Sequence, residues 1–239
     1  MAEEKISITN RRLKTPRAAA LAGIAFSLLS SASSVLIRLS VPESPMDSGA
    51  WLEDRVNFVS TALSLLPFAG IAFLWFLGVI RDRLGDFEDR FFSTVFFGSG
   101  LLFIAMTFVA ASIAGGILII NEVNPGVFLE NSMYTFSRAM MYQIINVYSL
   151  RMASVFMLSL GTIWARTKII PRPLIFLTYG LALVLLLGLS FSQWISLVFP
   201  GWVFVISTVI LILNFRKKEP QQSDEATTIS AHAEKTILD

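Results

Sequence analysis

Residues 101–120 read LLFIAMTFVAASIAGGILII, twenty in a row without a charged side chain. A helix of roughly twenty apolar residues is what crosses about 30 Å of hydrocarbon. Largely apolar blocks of this kind recur at about residues 18–40, 56–80, 92–120, 138–165, 174–193 and 197–215. In lipid the backbone amides have no water to bond, so each block must satisfy them internally as a helix. The expectation is an all-α, polytopic membrane helix bundle with six transmembrane helices. Composition agrees: 15% of the residues are charged, against about 25% in an ordinary soluble domain. The third and fourth blocks exceed the hydrocarbon thickness and are expected to tilt or project beyond it.

The basic residues orient the bundle. Lys5, Arg11, Arg12, Lys14 and Arg17 precede the first block, and Arg81, Arg83 and Arg90 separate the second from the third. Arg166, Lys168 and Arg172 separate the fourth from the fifth, and Arg216, Lys217 and Lys218 follow the last. The opposite side carries only Arg38, Arg55 and Arg138, all close to block ends. The positive-inside rule then places both termini in the cytoplasm. This gives a basic cytoplasmic segment at 1–17, a six-helix domain at 18–215 and a polar, disordered cytoplasmic tail at 216–239. The "RRLK" and "SSASS" elements also suit a cleaved signal. Yet Val35, Leu36 and Ile37 resume the apolar run, and the charge alternation requires a retained first helix. Long apolar helices indicate a bacterial cytoplasmic membrane rather than an outer membrane of barrels, with lipids as the immediate surroundings. The non-cytoplasmic loop VPESPMDSGAWLEDR is acidic, and Trp51 is expected at its headgroup level.

Much chemistry is excluded. There is no cysteine, and the single histidine, His232, lies in the polar tail, so no metal or cofactor set is expected. A net charge of +2 gives no basis for nucleic-acid binding. HExxH, GxSxG, GxxxxGK[ST] and a strand-following GxGxxG are all missing. No catalytic residues are expected and the chain is read as a non-enzyme.

Ionisable residues at membrane depth are costly and therefore functional candidates. Arg151 lies well inside the fourth block, and at 100° per residue Gln143, Asn146, Arg151 and Ser154 share one sector of the helix. One reading makes Arg151, Asn146, Gln143 and Tyr142 a binding site for a small anionic solute, because a guanidinium offers two parallel donors to carboxylate or phosphate. The other pairs Arg151 with Glu122, Glu130, Glu53 or Asp54 in a structural salt bridge. No Asp or Glu falls in the middle of a block, so a proton carrier of the usual kind is missing. The serines of the first block and Ala111 and Gly115 of the third are read as close-packing surfaces, and Pro67 as a kink.

The most charge-dense stretch is FLGVIRDRLGDFEDRFF, residues 76–92. Basic residues at the end of one helix and acidic ones at the start of the next complement the helix dipoles, with Gly85 as the C-cap between them. Gly78-x-x-x-Asp82-Arg83-x-Gly85 resembles the loop signature of the major facilitator superfamily of transporters. That resemblance implies a gating role for Asp82 and Arg83 beside Gly85. The basic pair that continues the family's pattern is replaced here by Asp86-Phe87-Glu88-Asp89. With RDRLGDFEDRFF followed by GSGLL, the chain as a whole resembles uncharacterised small multi-pass membrane proteins of bacteria, a likeness that brings no activity. Two functions stay open: binding or transport of a small anionic solute, and a non-catalytic accessory subunit that packs against a membrane-protein partner or forms a homo-oligomer.

Overall fold

The computed structural model describes residues 2–42, 44, 49–84, 90–123, 132–167, 170–187 and 193–216. The elements are α1 (Ala2–Ser40), α2 (Trp51–Asp54), α3 (Val56–Leu84), α4 (Arg90–Val123) and α5 (Ser132–Gln143). A π-helical segment (Ile144–Ser149) joins α5 to α6 (Leu150–Thr167). Then come α7 (Arg172–Leu187), a 3₁₀ turn (Gln193–Leu197) and α8 (Val198–Arg216). No strand occurs among the described residues.

Five stretches are long and apolar enough to cross a membrane: Ala18–Ser40, Val56–Asp82, Phe91–Val123, Ser132–Thr167 and Trp194–Ile212. The third and fourth, at 33 and 36 residues, are overlong as expected. The anticipated fifth span coincides with α7, a shorter apolar helix of 16 residues, about 24 Å at 1.5 Å per residue. Side chains on the outside confirm the class. Trp75 is 68% exposed and Phe176 74%, and Leu21 and Ile119 are likewise bare. Water does not tolerate an apolar exterior on this scale, whereas lipid does. The chain is a multi-pass membrane protein.

Neighbouring helices run antiparallel, as short connections require. On α1, Ser33 Oγ donates to the Ala62 carbonyl at 2.8 Å, while Phe26 meets Phe73 further along α3 at 4.8 Å between ring centroids. Arg81 lies 4.3 Å over the Phe97 ring and Phe73 meets Phe103 edge-on at 5.5 Å between centroids, so α4 returns along α3. Arg166 over Phe92 at 5.0 Å and Thr107 beside Ser149 at 3.1 Å align α6 against α4. Tyr179 and Thr178 of α7 bond Thr162 of α6 at 3.1 Å and Trp202 of α8 at 2.9 Å. We call the end where α1 finishes and α5 begins the far end, and the end where α3 finishes and α4 begins the near end. Of the proposed gate residues, Asp82 and Arg83 close α3 at the near end, Asp82 being exposed, and Gly85 lies outside the described residues. The 217–239 tail also lies outside them.

The core is built on phenyl rings. Phe26, Phe73, Phe103, Phe156 and Phe199 come one each from α1, α3, α4, α6 and α8, and all are buried. Their mutual centroid distances run from 4.6 Å for Phe103–Phe199 to 6.3 Å for Phe26–Phe103, the range in which tilted and edge-on rings attract by about 0.5–1.5 kcal/mol per pair. Close approach of α1 to this core depends on Gly23. A methyl there would run into the Ser207 hydroxyl and the Phe76 ring. Gly23→Ala is expected to destabilise the bundle by about 1–3 kcal/mol through overpacking. A thermal midpoint in detergent that does not fall would show that α1 and α8 separate more easily than this contact implies.

Candidate functional site

A cavity of about 150 Å³ lies on the far-end side of the phenyl layer, with Phe103 on its wall. α1 contributes Ser30, Ser34 and Arg38 at a spacing of four, which sets them along one face of the helix. α4 contributes Thr107, Ala110, Ala111 and Ala114. The fourth span adds Tyr142, Ile145, Asn146 and Ser149, and Leu63 and Leu66 of α3 supply apolar wall. Ser196 of the 3₁₀ turn and Pro200 also line it, as do Ser33, Ile37, Met141 and Leu150. Among these residues Arg38, half-buried, is the one charged side chain, and no carboxylate is present. The Ser196 Oγ is buried and finds no hydrogen-bond partner among the described residues, a deficit of about 1–3 kcal/mol for a buried hydroxyl.

The small residues here make space. The spacing of Ala111 and Gly115 reads as a helix-packing surface, yet nothing lies within 4 Å of the position a Gly115 Cβ would take, and Ala111 faces the cavity. Ser30, Ser33 and Ser34 all line the cavity, and Ser33 in addition holds α3 through the Ala62 carbonyl.

The π segment decides which residues of the fourth span reach the site. The Leu150 N–H donates to the Ile145 carbonyl, five residues back. An i→i−5 turn holds one residue more than an α turn, so the regular 100° phasing across 144–149 fails. Asn146 and Tyr142 line the cavity, with Asn146 Nδ2 donating to the Tyr142 carbonyl at 3.0 Å. That bond uses one of the two amide hydrogens and leaves the carbonyl oxygen of the side chain. Ser149 turns to α4, meeting Thr107 Oγ1 at 3.1 Å and the Phe103 carbonyl at 3.4 Å. Gln143 and Arg151 are not on the wall. Gln143 is exposed, and Arg151 turns back on its own helix, donating from Nη1 to the Val147 carbonyl at 3.0 Å.

One helical turn beyond the cavity, at the far end, sits a buried cation. Arg138 is 3% exposed. Its Nη2 donates to the Pro42 carbonyl at 2.6 Å and its Nη1 to the Tyr134 hydroxyl at 3.2 Å. The same hydroxyl accepts from Trp51 Nε1 at 3.0 Å, and the guanidinium carbon lies 5.9 Å from the centroids of both the Trp51 and Tyr134 rings. Trp51 is therefore drawn into a small core with Leu52, Val59 and Ile117 instead of resting at a headgroup surface. Its indole N–H has a protein partner and does not need water. Arg138 is four residues before Tyr142 on α5, so this tie stands one turn from a cavity residue.

Sequence reasoning placed Asn146 and Tyr142 and missed Arg38, Ser30, Ser34 and Ser196. The four-residue repeat of Ser30, Ser34 and Arg38 was the available signal. Among the described residues no group of His, Cys, Asp or Glu could hold a metal ion. Comparison with protein-family models, with curated proteins and with solved structures gives no match.

Proposed function

We propose that the chain is a six-span protein of a bacterial cytoplasmic membrane, with both termini in the cytoplasm, that binds a small anionic solute in this cavity and passes it across the bilayer. One observation carries the reading. Arg38 stands on the cavity wall beside the hydroxyls of Ser30, Ser34 and Ser196 and the amide of Asn146. A guanidinium in that setting favours an anion over a cation or a neutral molecule. Asn146, Tyr142 and the orphaned Ser196 hydroxyl orient the solute. The reading is non-catalytic, since a hydroxyl becomes a nucleophile only beside a base and the wall offers an amide, hydroxyls and a guanidinium.

Transport also needs the phenyl layer to part, because it closes the bundle on the near-end side of the cavity. With no carboxylate at mid-span, coupling to protons is not part of the proposal. The test is anion binding to, and counterflow through, purified protein in vesicles, comparing the parent with Arg38→Gln and Arg151→Gln. Loss confined to Arg38→Gln supports the site. Equal activity in all three removes it.

A further inference from the structure

We infer that the outer face of the fourth span around Arg151 docks a transmembrane helix of another protein, one that carries an aspartate or glutamate at mid-bilayer depth. Arg151 is the twentieth of the 36 residues in Ser132–Thr167, the middle of the span. The Thr107–Ser149 contact agrees, since it sets Arg151 level with about position 105 of α4, whose span Phe91–Val123 is centred on Thr107. Arg151 is half-buried and its Nη1 donates to the Val147 carbonyl. The other edge of the guanidinium, Nε and Nη2, has no hydrogen bond or ion pair among the described residues. A cation at this depth without a counter-ion is costly in hydrocarbon. The π segment gathers further polar groups beside it. Eight residues at 100° set Gln143 about 80° from Arg151, and the extra residue of an i→i−5 turn reduces that to about 20°. Gln143 is exposed, Tyr148 is 53% exposed, and neither side chain has a hydrogen-bond partner among the described residues. The face also has room. Arg151 lies three turns before Thr162, on the side where Tyr179 of α7 packs. Yet α7 ends at Leu187, about level with position 154 of α6, and beyond that level α4 is the principal neighbour of the fourth span among the described elements.

Charge selects the occupant. Every Asp and Glu of this chain lies outside the middle of its apolar blocks, so a second copy brings no carboxylate to this depth. A partner helix with a mid-span carboxylate accepts two parallel bonds from Nε and Nη2. The Gln143 amide and Tyr148 hydroxyl then meet polar side chains along the same helix.

The measurement is energy transfer in lipid vesicles between the labelled full chain and synthetic leucine–alanine helices of about twenty residues. The central residue of the helix is aspartate, asparagine, leucine or lysine. The aspartate helix is expected to associate at least about tenfold more tightly than the leucine helix, with asparagine between them and lysine no better than leucine. Moving the aspartate two turns toward either end should remove most of that gain. Arg151→Gln should bring the aspartate helix down to the asparagine level, and Arg151→Glu should transfer the preference to the lysine helix. If the glutamate variant does not fold, Arg151→Lys makes the test instead, since it keeps the charge and should keep the aspartate preference. Equal association of all four helices, or an aspartate preference that survives Arg151→Gln, would overturn the inference. Arg151-dependent association of the chain with itself would assign the face to a second copy and overturn it as well. None of these outcomes bears on the anion site, because Arg151 lies off the cavity wall.

Discussion

Arg38→Gln is expected to weaken anion binding by between about thirtyfold and a few thousandfold. Truncating one partner of a desolvated, hydrogen-bonded charge pair costs about 2–5 kcal/mol, and each 1.4 kcal/mol is a factor of ten. Arg38 is half-buried, so solvent screens part of the attraction and the lower half of that interval is the working figure. Arg38 occupies the last turn of α1, where a cation interacts with the helix dipole for about 0.3–1 kcal/mol. Arg38→Lys keeps the charge and loses the fork, and should fall between the parent and glutamine. Arg151→Gln is the paired control. Its Nη1 donates to the Val147 carbonyl and the residue lies off the cavity wall, so anion affinity should stay within about threefold, well under the cost of one charge-assisted bond. Binding constants for the four proteins, taken at one ionic strength, decide the matter. An Arg151→Gln loss equal to that of Arg38→Gln would show that the two cations act on the anion together.

Arg138→Ala should have the largest effect on stability, about 2–4 kcal/mol. Two opposing terms set it. Burying a guanidinium is costly, and no carboxylate contacts Arg138 among the described residues, so removal recovers some desolvation energy. Against this, the substitution strands the Pro42 carbonyl and leaves the Tyr134 hydroxyl with one donor fewer, at about 1–3 kcal/mol for each unmet buried group. It also opens a hole between Trp51 and Tyr134. The losses win because they combine unmet acceptors with a void. Arg138→Met separates the two, since it removes the charge while keeping most of the volume, and should cost about half as much. Thermal midpoints in detergent give the order parent, Met, Ala. Met and Ala falling equally would mean that packing contributes nothing at this position. A methionine variant more stable than the parent would mean that the buried charge outweighs its own hydrogen bonds. The tie sits one turn from Tyr142 on α5, so both variants should also loosen the cavity and weaken binding, though less than Arg38→Gln.

The helices and the membrane class were legible because apolar block length and uncharged composition act locally, residue by residue. The serine at position 33 and the proline at 200, the latter in the first turn of α8, also behave as their neighbours in sequence suggest. The site was only half legible. Phasing at 100° per residue joins Arg151 to Asn146, and that phasing fails across Ile144–Ser149 because packing, through Ser149 against α4, selects an i→i−5 turn that no residue in IINVYS announces. Arg38 and Arg138 read from sequence as span-end anchors of one kind. Their difference, one on a cavity wall and one sealed among rings, arises from helices a hundred residues away. Ser30, Ser33 and Ser34 likewise look like plain packing residues until α4 is placed opposite them with alanines where larger residues would have filled the space.

The ring of five phenylalanines, one from each long helix, also makes the bundle an insulator. A proton moves through a protein along a file of water or titratable groups, and water needs polar partners to stay. Phenyl rings at centroid distances of 4.6–6.3 Å supply none, and the spans hold no carboxylate at that depth to relay a proton. In this conformation the file is broken at one layer. A cell could therefore hold the protein at high copy number in an energised membrane without short-circuiting its proton gradient.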